Sequence, residues 1–113
     1  MKFMLTIYVT DEGMTTIENE LNDEWSAAHA SVAEQLRASG EFVDTSELSV
    51  TRAKTVRRAP DGLIVTDGPF AETKEFVGGY YLVDCVDIER AVEIAGRFVE
   101  ARFAPVEVRA LGA

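Results

Sequence analysis

Residues Lys2 to Val9 alternate, with Phe3, Leu5, Ile7 and Val9 on one side and Met4, Thr6 and Tyr8 on the other. Period two is the spacing of a β-strand, and a strand with large side chains on both sides needs a sheet covered on both faces. Helical spacing appears twice further on. From about Asp23, residues Trp25, Val32 and Leu36 form one stripe, Ala28, His29 and Ala33 lie beside it, and Gly40 supplies a stop. Asp87 is placed to cap a second helix whose stripe is Ile88, Ala91, Val92, Ala95, Phe98 and Val99. Two helices can cover one face of a sheet of about four or five strands, and they leave the other bare.

The remaining segments complete the order. Thr55 to Arg58 and Leu63 to Thr66 flank Ala-Pro-Asp-Gly, in which Pro60 pre-sets a turn and Gly62 accepts a left-handed backbone, so a hairpin is predicted. Gly79 to Cys85 reads as a strand and Val106 to Ala110 as a short last one. The acidic stretch Thr10 to Glu24 suits a loop leading into a helix N-terminus. The sum is a ferredoxin-like α+β domain with an extra hairpin, spanning residues 1–113 as one domain. Its bare sheet face should carry Met4, Thr6, Tyr8, Glu107, Arg109 and one of Tyr80 or Tyr81. So aromatic a surface is costly to leave in water, and a homodimer with two sheets face to face is the expected remedy.

Composition narrows the function. Eleven basic against 20 acidic residues give a net charge of −9, which repels phosphate backbones and anionic lipid, so neither nucleic acid nor membrane is an expected partner. The opening residues lack a signal-peptide core, and a cytoplasmic protein is expected. Arg52, Lys54, Arg57 and Arg58 form a local exception, read either as a solvated, aggregation-resistant strand or as an anion-binding patch. The single cysteine, Cys85, lies in a strand-like run and reads as a small buried hydrophobe rather than a nucleophile. One histidine with scattered carboxylates makes no transition-metal set, and no glycine-rich phosphate loop is present, so no metal or other cofactor is expected.

The densest motif runs from Val65 to Val83 and contains Thr-Asp-Gly-Pro-Phe, Glu-Thr-Lys-Glu and Gly-Gly-Tyr-Tyr-Leu-Val. With the opening Lys-Phe-Met-Leu-Thr-Ile-Tyr and the closing Val-Glu-Val-Arg, it resembles the YCII-related, or DGPF-domain, family over nearly the whole chain. The resemblance implies a dimeric α/β barrel and a bacterial protein. It also implies an active-site pair between a histidine in the first helix and an acidic residue, here His29 and Asp67. Some relatives resemble lactone isomerases and dehydrochlorinases, whereas others accompany sigma factors of the extracytoplasmic-function type. One departure stands out: the family's tail has Arg-His-Gly before its last strand, and this chain has Arg102-Phe103-Ala104-Pro105. Either this protein relies on His29 alone, or Phe103 fills the space of a structural histidine.

Two functions follow from these residues together with what the resemblance implies. In the first, a small cofactor-free enzyme moves a proton on a compact anionic or phenolic metabolite, with His29 as base, Asp67 orienting it, and Tyr8, Tyr80, Lys74 and Arg109 as substrate contacts. The second is a non-catalytic ligand-binding or accessory protein linked to sigma-factor-dependent regulation. Asp67 has a plainer reading as the acceptor that holds the Gly68-Pro69 corner, and Glu72 with Glu75 one as a solvated turn. At the start of the last long strand, Gly79 is expected where a neighbouring backbone comes too close for a Cβ.

Overall fold

A computed structural model describes residues 1–70 and 74–112. The chain runs β1 (Lys2–Thr10), α1 (Asp11–Glu20), α2 (Asn22–Ser39), β2 (Phe42–Glu47), β3 (Lys54–Ala59), β4 (Gly62–Asp67), β5 (Glu75–Asp84), α3 (Ile88–Ala95), a 3-10 turn (Val99–Arg102) and β6 (Val106–Ala110). Strands β2, β5, β1 and β6 form one antiparallel sheet in that order, and β3 pairs with β4 in a separate two-stranded sheet. The arrangement is compatible with a ferredoxin-like α+β fold in which the β3–β4 hairpin is inserted between two sheet strands.

The first strand behaves as its alternation requires. Phe3, Leu5, Ile7 and Val9 are buried against Val32 and Leu36 of α2 and Ala91 and Ile94 of α3, together with Tyr81, Val83 and Phe98. Each such large side chain contributes about 1.5–3 kcal/mol by leaving water, and together they hold the helices on one face. Register puts Met4 beside Leu82 and Arg109, and Thr6 beside Tyr80 and Glu107, on the opposite face. Of the two tyrosines, then, Tyr80 belongs to the open face and Tyr81, 4% exposed, to the core.

Three local expectations need correction. The acidic segment after β1 is a helix rather than a loop: Thr10 caps α1 by accepting from the Gly13 amide, and Ile17 anchors it. Residues 42–47, to which no strand had been assigned, form the sheet edge. The second apolar stripe does not belong to one helix, because α3 stops at Ala95 and Phe98 and Val99 enter the core from the following turn. Gly40 does end α2, at φ 80°, a left-handed backbone that glycine adopts without penalty.

At Gly79 the sheet is as tight as expected. A Cβ there would stand 2.9 Å from the Ser46 carbonyl oxygen of the neighbouring strand. Phe103 packs over α1, its Cβ 2.9 Å from where a Gly13 side chain would begin. Among the described residues, no helix is long and apolar enough to cross a membrane.

Candidate active site

His29 projects from the middle of α2 toward the core side of the sheet. Its Nδ1 lies 2.9 Å from the Tyr81 hydroxyl on β5, and its Nε2 lies 2.9 Å from both carboxylate oxygens of Glu100 in the 3-10 turn. The three side chains come from positions 52 and 71 residues apart and are largely removed from water: His29 retains 18% and Glu100 8% of side-chain exposure. An ionised carboxylate can only accept, so Nε2 carries the hydrogen that Glu100 receives. In the neutral ring Nδ1 is then an acceptor, and the Tyr81 O–H donates to it.

The electrostatics agree with that assignment. Burial opposes ionisation of Glu100, but hydrogen bonds from His29 and Trp25, with attraction to the ring in its imidazolium form, outweigh it and hold the carboxyl below its usual range. For Tyr81, burial, opposed by a hydrogen bond with Thr45 and reinforced by the Glu100 charge, raises the phenol above its ordinary value. Tyr81 therefore remains a hydroxyl donor. Rings fix the imidazole from the sides: Trp25, one turn earlier on α2, lies 4.8 Å away, and Phe98 stacks at 5.1 Å and 17°. Phe98 also packs 4.7 Å from Tyr81, so an aromatic cage holds the line Glu100–His29–Tyr81.

This line forms part of the wall of a cavity of about 440 Å³, within the size range of small-ligand sites. Apolar lining comes from both layers, including Ile7 and Val9 of β1, Met14 and Ile17 of α1, and Phe76 of β5. His29 can accept a proton only at Nδ1, which requires the Tyr81 O–H to turn from that nitrogen to a bound oxygen, and Glu100 then stabilises the imidazolium that forms. Among the described residues, no group of three His, Cys, Asp or Glu side chains is placed to hold a metal ion.

The partner of His29 thus differs from expectation. Asp67 ends β4 in the separate hairpin, where its carboxylate pairs with Lys54 and is 88% exposed. Hairpin register explains this, since Lys54 and Asp67 are directly opposite. The expected substrate contacts scatter as well. Tyr80 is among the residues bordering the cavity, but its side chain belongs to the open face and its hydroxyl donates to Asp44. Tyr8 alternates with buried Ile7 and Val9 and so points to the open face, Arg109 pairs there with Glu107, and exposed Lys74 precedes β5, none of the three lining the cavity. The Glu72–Glu75 pairing involves a residue outside the described ones.

Tyr81 and Glu100 carried signals that the sequence reading passed over: a second tyrosine in phase with Val83 and Cys85, and an acid embedded in Phe-Val-Glu-Ala. Cys85 is buried as expected, its thiol donating to the Asp87 carbonyl at 3.4 Å and pushed up by burial.

Comparison with known proteins adds a family. A 45-residue stretch is 49% identical to the uncharacterized protein R00369 of Rhizobium meliloti (strain 1021), covering 40% of this chain and only 36% of that protein's length. The model of the YCII-related domain matches residues 1–111. With nearly its whole length inside that match, the chain belongs to the YCII-related family.

Proposed function

We propose that this protein is a small cofactor-free enzyme that moves a proton on a small metabolite, with His29 as the base. One observation carries the reading: the imidazole is held between a buried carboxylate and a buried phenol in the wall of a ligand-sized cavity. Glu100 takes the orienting role, and Tyr81 supplies the hydroxyl that can polarise a bound oxygen. Gly79, which lines the cavity, brings β2 and β5 into close approach.

The working unit is a homodimer, a dimeric α/β barrel, in the cytoplasm. What supports the dimer is the half-buried open face with Met4, Thr6, Tyr8, Tyr80 and Leu82, together with a hairpin that leaves Val56, Leu63 and Val65 at 54–60% exposure. Sedimentation at micromolar concentration should return twice the chain mass of 12.4 kDa. A well-folded monomer would exclude the barrel.

A second reading has its own support. Both ring nitrogens of His29 are engaged within the protein, which suits a binding module of the sigma-factor-linked kind as well as a resting enzyme. Proton exchange separates the two. Small carbonyl compounds incubated with the protein in deuterium oxide should exchange an acidic C–H, followed by NMR, and His29→Gln should stop it. Ligands that bind without exchange would leave the binding module as the function.

A further inference from the structure

The lining of the cavity carries an unbalanced charge. Glu18 from α1, Glu47 from β2 and Glu100 line it, and among the described residues no lysine or arginine does. His29 does not redress the balance, because its ring is matched to Glu100; even as an imidazolium it leaves Glu18 and Glu47 uncompensated. Of the cations elsewhere among the described residues, Lys54 is taken by Asp67 and Arg102 by Glu24. The chain as a whole, at −9, deepens the negative potential, and a concave apolar wall focuses it. A carboxylate ligand would have to enter against that field and give up water without gaining a cation.

The uncharged lining points the same way. The rings of Trp25 and Tyr81 present π-systems, whose faces attract cations, while Ile7, Val9, Met14 and Phe76 offer apolar contact to a hydrocarbon body. Asn22, Thr45 and Ser46 provide neutral hydrogen-bonding groups. We propose that this cavity takes a protonated amine carried on a small, flat apolar body and discriminates against carboxylates, with Glu18 and Glu47 as the selecting charges. This names a ligand class for the site read above as the active site, and it differs from the anionic or phenolic metabolite that the sequence suggested.

Trp25 is the only tryptophan and stands in the cavity wall, so its fluorescence reports occupancy. Three probes of nearly equal size and different charge test the proposal: phenethylamine, protonated at neutral pH, 2-phenylethanol and phenylacetate. Titrated into the full chain at low salt, the amine should bind about tenfold more tightly than the carboxylate, with the alcohol between and the gap narrowing as salt is added. In Glu18→Gln/Glu47→Gln, two exposed substitutions, the amine-to-carboxylate ratio should fall toward one. Phenylacetate binding as tightly as the amine would overturn the ligand class while leaving the active-site reading in place. A ratio unmoved by the double substitution would overturn the role of the two glutamates. If none of the three perturbs Trp25, the cavity is no ligand site, and both readings fall.

Discussion

Two polar contacts in this molecule, one buried and one exposed, obey different physics. At His29, one imidazole, one carboxylate and one phenol are packed among rings with little access to water, and among the described residues no buried side-chain polar atom lacks a partner. On the hairpin, Asp67 and Lys54 meet in the open, 88% and 66% exposed, on a strand with no buried residue. An exposed pair exchanges water for a partner at nearly equal free energy and is worth about 0–1 kcal/mol, whereas a buried group left without its partner costs several. Distinctiveness of motif and energetic consequence are therefore separate properties. The Asp-Gly-Pro-Phe segment is the more recognisable, and the Glu100 turn the more consequential.

The largest expected effect comes from breaking the buried line. Glu100→Ala strands the Nε2–H of His29 and the hydrogen bond from Trp25, and should lower the unfolding free energy by about 3 kcal/mol in urea titration. A loss below that of an exposed pair would erase the contrast between the two regions. Next is Gly79→Val, whose branched side chain would meet the Ser46 carbonyl; a cost of about 1–3 kcal/mol or failure to fold is expected, measured by thermal melting.

An intermediate case sharpens the scale. Arg90 of α3 forms two hydrogen bonds to Glu41, just after α2, with 25% and 15% side-chain exposure, and its guanidinium holds the Glu41 carboxyl at about 2. Because the folded-state value is depressed, the stabilisation is fully present above the unfolded carboxyl value and disappears as pH falls through about 2. Acid titrations of the native protein and Glu41→Gln should converge across that window from a difference on the order of 2 kcal/mol at neutral pH. Parallel curves would mean that the pair contributes nothing. The smallest effect belongs to Asp67→Asn, expected to change stability by less than about 0.5 kcal/mol and to leave binding at the cavity unaltered. A large loss in that variant would return Asp67 to the functional centre.

The alternation of β1, the hairpin around Pro60 and the stop at Gly40 were legible because each is local: a two-residue period, a turn and a left-handed cap are decided by neighbours a few positions apart. The same was true of His29 as a residue on the inward border of its helix, and of an open sheet face carrying Met4, Thr6 and Arg109. The partner of His29 was not of this kind. Glu100 would have stayed off the apolar stripe of a continuous helix, but α3 ends at Ala95, and the 3-10 turn that follows rotates the carboxylate inward to meet α2. That ending depends on how Phe98 and Val99 find room between Tyr81 and the first strand, a packing decision made by residues distant in the chain. Periodicity records which face of an element is apolar, but it holds no information about which two faces meet; only the closed tertiary structure places position 29 against position 100.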